Sequence, residues 1–166
     1  MAENTKKPDE GKTAETATPG QHGPEPAIQI VTQYVKDLSF ENPGVGMPVQ
    51  RPQIVFIVNL EARRAGTEQF EVVLKLRVNA SQEDKPIFLL ELAYGALFLI
   101  RNIPEDSLQP VLFIECPRLI FPFARRLVAD MVRDGGLPPL LIDPIDFAAL
   151  YRAKLAEGAG ARSMVV

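Results

Sequence analysis

Residues 115–147 read ECPRLIFPFARRLVADMVRDGGLPPLLIDPIDF. Within them Leu119, Ile120, Phe123, Ala124, Leu127, Val128, Met131 and Val132 recur at i, i+1, i+4, i+5 and onward, the broad apolar stripe of an amphipathic helix. Arg125, Arg126, Asp130 and Arg133 lie off that stripe. Pro117 suits the helix's first turn, where a missing N–H has no partner to lose, and Pro122 falls in the first turn or kinks the helix. Gly135-Gly136 is a C-terminal stop. "LPPLLI" (137–142) follows, almost wholly apolar where a connection is ordinarily polar. Asp143 then reads as the N-cap of a last helix, with Pro144 at N1, Asp146 at N3, and Phe147, Leu150, Tyr151 and Leu155 on its apolar face.

Ahead of this stretch the period changes to two. In "AIQIVTQYVKDLSFE" the residues Ile28, Ile30, Tyr34, Leu38 and Phe40 share one face, and Gln29, Gln33, Asp37, Ser39 and Glu41 the other. A loop rich in Gly and Pro (42–52) leads to a second strand with Ile54, Phe56, Val58 and Leu60 on one face. The third sets Phe70, Val72, Leu74, Leu76 and Val78 against Glu71, Lys75, Arg77 and Asn79. The fourth, "IFLLELAYGALFLI", is interrupted by Gly95, a mark of a bulge or a close backbone approach. A short helix is expected in "EDSLQPVLFIE". The expected fold is α+β: a four-stranded antiparallel meander followed by helices packed on one face. Residues 1–26 hold no Val, Ile, Leu or aromatic and are expected to form a disordered tail. Residues 27–155 make the domain, and 156–166 a flexible tail of small residues.

Composition excludes several classes of function. A formal charge of −3 argues against nucleic acid, whose ligands need clustered Lys and Arg. No apolar run is long enough to cross a bilayer, and MAENTKKPDEGKT has no apolar core of a secretory signal. Cys116 is the only cysteine, which fits a reducing, cytoplasmic compartment and reads as a small buried hydrophobe. The one histidine, His22, lies in the expected tail, so no metal site and no catalytic set is assembled. No cofactor is expected.

What remains is surplus apolar surface and a set of acids. "LPPLLI" either packs on its own core or walls a groove, its prolines holding the backbone stiff with two fewer donors to satisfy. Asp37 and Glu41 share the polar face of the first strand, and Glu91 shares a face with Leu89. That face is either merely solvated or an acidic docking surface for a basic partner.

At this point the chain resembles the SecB family of protein-export chaperones. The words that carry the likeness are "CPRLIFPFARRLVADMV", "FLLELAYGALFLI", "GGLPPLLIDPIDFAALY" and "YVKDLSFENP", in the family's order and spanning about residues 28–155. The resemblance implies a homotetramer, a dimer of dimers with helices between two large sheets. Such a protein binds unfolded precursor proteins in apolar grooves without ATP and hands them to the SecA motor. It implies that SecA's zinc-bearing C-terminal tail docks on Asp37, Glu41, Leu89 and Glu91. A client groove is expected from Met47, Val49 and Phe56 on one side and Leu137, Leu140, Leu141, Phe147 and Tyr151 on the other. An oligomer interface is expected at Phe88, Leu90, Leu92 and Tyr94. The chain departs from the family in having no Trp in its crossover loop and in ending on RSMVV. Three rival readings are a SecB-like chaperone for another client such as an antitoxin, a small enzyme with an apolar pocket, and a structural oligomerisation module.

Overall fold

The computed structural model describes residues 24–156 and the backbone of 164–165. His22 and the expected tail up to residue 23 lie outside the described residues, as do 157–163 and Val166. Four long strands form one antiparallel sheet: β1 (Ala27–Glu41), β2 (Gln53–Arg64), β3 (Gln69–Gln82) and β4 (Lys85–Arg101). The order is β1-β4-β3-β2, so only β2 to β4 make a meander and β1 pairs with β4 instead of β2. The 42–52 loop makes this order possible by crossing the end of β4. There Gly44 N–H donates to the Ile87 carbonyl at 3.0 Å, and a Cβ on Gly44 would stand 2.8 Å from Ile87 Cα. Gln82, at the β3–β4 turn, pins the far side of the loop by accepting from Gln50 N–H and donating to the Pro48 carbonyl. A two-residue strand, β5 (Met164–Val165), pairs with β2 at Asn59 and Leu60, where no strand is expected from the sequence.

Alternation holds along β3 and β4, whose even-numbered residues from Phe70 to Val78 and Phe88 to Ile100 are buried. It fails at Ile87, an odd-numbered residue buried beside a register shift between Ala80 and Ser81, and in β1. Register shifts between Ile30 and Thr32 and between Val35 and Asp37 insert two bulges, which turn the strand over and back again. Ile28, Ile30, Leu38 and Phe40 keep the core face, but Tyr34 pairs with Gly95 and stands on the outer face. The sequence reading of Tyr34 is thereby corrected. Gly95 is a close approach as expected: a Cβ there would lie 2.7 Å from the Tyr34 ring. The bulges themselves are in the neighbouring strand.

The helical half is nearly continuous. α1 (Glu105–Pro110) runs through a π-helical turn at Val111–Glu115 into α2 (Cys116–Asp134), with αR backbone at both junctions. The wide turn has a local cause. Pro117 has no N–H to offer the carbonyl four residues back and its ring crowds it, so the helix loosens, and Cys116 N–H reaches five residues back to Val111. α2 lies on the even face of β3 and β4 through Ile120, Phe121, Ala124, Val128 and Val132. The apolar stripe is wider than that contact. Leu119 and Phe123 remain 45% and 42% exposed.

α2 ends in a Schellman turn. Gly136 takes φ +81°, Leu137 N–H returns to the Val132 carbonyl and Gly136 N–H to that of Arg133. The last helix, α3 (Phe147–Ala156), starts later than the sequence reading placed it. Asp146 is the cap, its Oδ1 accepting from Ala149 N–H at 2.9 Å, while Asp143 and Pro144 stay in irregular chain. Either acid could cap on paper; the one next to the packed Phe147 does so.

Candidate functional site

Two surfaces carry the residues singled out in the sequence. The first is the outer face of the sheet. Asp37 lies opposite Ala93, Ser39 opposite Glu91 and Glu41 opposite Leu89, so Asp37, Glu41, Leu89 and Glu91 do form one cluster across β1 and β4. Directly opposed residues of an antiparallel pair share a face. Asp37 and Glu41 are exposed and Leu89 and Glu91 half-buried.

The face is less acidic than the sequence implies, because ion pairs run across it. Arg77 Nη1 stands 3.2 Å from Glu91 Oε1, Lys75 pairs with Glu61, and Arg101 with Glu68. Among the described residues of this face, Asp37 and Glu41 are the carboxylates left without such a partner. A shallow depression of 470 Å³ runs beside them over Ile57, Asn59, Arg77 and Ala93.

One cluster on this face was not found by sequence reasoning. Glu71, 4% exposed, accepts from the Tyr34 hydroxyl, from Arg63 Nε and from Lys36 Nζ at 3.2 Å. Burial by itself would raise the Glu71 pKa, but the three donors outweigh it and hold the carboxyl down to about 2. Burial raises the pKa of Tyr34, and its hydrogen bond to the carboxylate raises it further. The bulge that carries Tyr34 outward builds this cluster; Gly95 was its one trace in the sequence.

The second surface is apolar and divided. Val49, Leu137 and Leu140 line a 290 Å³ trough with Pro52, Ile54 and Phe88. Met47 and Leu137 line an adjoining 390 Å³ hollow with Asn42 and Gly135. Leu141 and Phe147 instead line a 550 Å³ trough on α2, with Phe121 and the basic residues Arg118, Arg125 and Arg126. Phe56 is half-buried against the core, Phe147 is buried edge-on against Phe121, and Tyr151 stacks on Phe113 at 6.3 Å between centroids. The eight expected groove residues thus fall at separate places within one protomer. Leu137 leaves the helix on one side and Leu141, 68% exposed, comes out on the other.

Phe88, Leu90, Leu92 and Tyr94 occupy a different place from the one expected. All four are core residues of a single protomer, from 0% exposed at Leu90 to 7% at Tyr94, on the sheet face that carries α2 of their own chain. The Cys116 thiol is buried, and that burial pushes its pKa up to about 12, out of the range of a nucleophile.

The family model described as SecB, preprotein translocase subunit SecB, matches residues 21–158. The protein-export protein SecB of Maricaulis maris is 51% identical over 140 residues, covering 82% of this chain and 81% of its own. That of Paracoccus denitrificans is 49% identical over 152 residues, covering 86% of each chain. Among solved structures, a Mycobacterium tuberculosis SecB-like chaperone in complex with an antitoxin peptide aligns with a TM-score of 0.63 at 15% identity, over 71% of this chain and 90% of that one. This last likeness is one of fold. Fold and matches together define a protein-export chaperone. The chain belongs to the SecB family. No described helix is long and apolar enough to cross a membrane.

Proposed function

We propose that this chain works in the cytoplasm as a homotetramer, a dimer of dimers, that holds unfolded precursor proteins in its apolar troughs. It passes them to SecA, without ATP of its own. The observation that carries this reading is the apolar surface one protomer leaves open: Leu119 and Phe123 on α2, and Val31 and Val35 at 50% and 45% exposure in β1. Apolar patches of this kind are covered by another chain. The edge of β1, unpaired among the described residues, and the outward side of α2 are the surfaces for a second copy, in place of the strand-four set. The troughs beside "LPPLLI" then serve clients, whose affinity grows with the length of apolar chain laid down. SecA's zinc-bearing tail docks on Asp37, Glu41, Leu89 and Glu91 through charge and a flat apolar contact.

Native mass measurement with and without a urea-unfolded precursor tests the assembly and the client together. The expected result is a four-chain mass that gains one client. A monomer or dimer that gains none sinks the reading. Phe123→Asp should dissociate the tetramer while the protomer keeps its melting temperature. Leu92→Arg should unfold the protomer, since it buries a charge in its own core.

A further inference from the structure

β1 and α2 end at one corner of the molecule, and the two irregular segments that line the client trough both start there. One segment, from Asn42, carries Met47, Val49 and Pro52; the other, from Gly135, carries Leu137 and Leu140. Asn42 Nδ2 donates to the Gly135 carbonyl at 2.8 Å, joining residues 93 apart in sequence. That carbonyl has no partner within the helix, because the turn that closes α2 uses those of Met131, Val132 and Arg133. Among the described residues it is the one hydrogen bond between the two segments. Phe40 braces the contact from beneath: its ring would lie 2.5 Å from a Cβ on Gly135, so only glycine admits it.

The amide is held at a cost. Asn42 Oδ1 is buried with no hydrogen-bond partner, a penalty a fold tolerates where the other half of the group has a task. Little else ties the second wall. Its prolines, Pro138 and Pro139, have no N–H to donate, whereas the first wall is already fastened to the sheet by Gly44 and Gln82.

We infer that Asn42 is a positioning residue for client binding, its side-chain amide clamping the loop after β1 to the end of α2 and so setting the spacing of the trough's two walls. The inference rests on the trough being the client site. Clamped walls need less ordering when a client binds, so the clamp acts on how long a client stays.

Asn42→Asp tests it with almost no change of volume. The carboxylate turns an acceptor toward a carbonyl at the negative end of a helix, which unfastens the corner. The probe is a reduced, carboxymethylated polypeptide that cannot fold. Its dissociation should quicken about three- to tenfold, the loss of one hydrogen bond's net contribution, with association unchanged. Amide exchange should quicken in 44–50 and 137–142 and stay unchanged in β3 and β4. Asn42→Ala, which removes the donor without the repulsion, should do the same more weakly, and it decides the matter should the aspartate variant fail to fold. Wild-type dissociation and wild-type exchange in a variant of unaltered melting temperature and mass would overturn the clamp. If the wild type does not hold the polypeptide, the client reading falls by itself. Loop exchange alone then judges the clamp, and unchanged exchange refutes it.

Discussion

Arg77→Ala should tighten the docking of a basic peptide on the outer sheet face, although it removes an ion pair. Arg77 and Glu91 are directly opposed on β3 and β4, their charged atoms 3.2 Å apart. Glu91 in turn faces Ser39, so Asp37 and Glu41 flank it along β1, each about 7 Å up or down the strand from Ser39. The three acids form a triangle with one corner already neutralised. A basic partner must displace Arg77 to use that corner. The pair is half-exposed, 51% on Arg77 and 44% on Glu91, and an exposed pair contributes roughly 0.2–1 kcal/mol. Removing the competitor returns at most that much, about a 1.5- to 5-fold gain in affinity, and makes the salt dependence steeper. Glu91→Ala should act the other way and harder than Asp37→Ala, because it deletes an acid and releases an arginine on the same patch. Joining the two changes, Arg77→Ala with Glu91→Ala, should recover part of the loss. Calorimetry with a peptide of SecA's C-terminal tail, at low and high salt, reads all four variants. If Arg77→Ala weakens docking, the ion pair holds Glu91 in place and competes for nothing. If it changes nothing, Glu91 is outside the contact.

Three further outcomes are expected. Gly95→Ala should cost about 2–4 kcal/mol in urea unfolding, from overpacking against the Tyr34 ring and loss of its bond to Glu71. In a Tyr34→Ala background the same change should cost far less, and additive costs would count against the contact. Glu71 has a folded pKa of about 2 against an ordinary 4.5, so the unfolded chain takes up its proton first. Its contribution is whole above about pH 4.5 and is lost as pH falls toward 2, so Glu71→Gln should flatten the decline of melting temperature across that window. Leu140→Ser together with Leu141→Ser should weaken binding of an unfolded precursor about tenfold or more while the assembly mass stays unchanged. Anisotropy of a labelled precursor measures it, and retained affinity would make the segment structural.

Periodicity alone determined the α+β class, the inward faces of β2, β3 and β4, the stripe of α2 and its stop at Gly135-Gly136. Each is a local signal, written in residues two to four apart. The acidic cluster was legible for the same reason, since Asp37 and Glu41 share a strand face whatever stands beside it. Strand order was not legible: a loop of eleven residues can reach a neighbour or cross a sheet, and what selects the crossing is the bare backbone of Gly44 against Ile87. Nor was the reversal of Tyr34, because a bulge adds a residue without leaving a mark in composition, and one added residue moves a side chain to the other face. Pairing of charges depends on register across strands, so Arg77 could not be matched to Glu91 from spacing. Burial was decided last of all. The face of Leu90 and Leu92 was plain in the sequence, but whether its cover comes from the same chain or another depends on where α2 lies, and packing between residues some thirty positions apart fixes that.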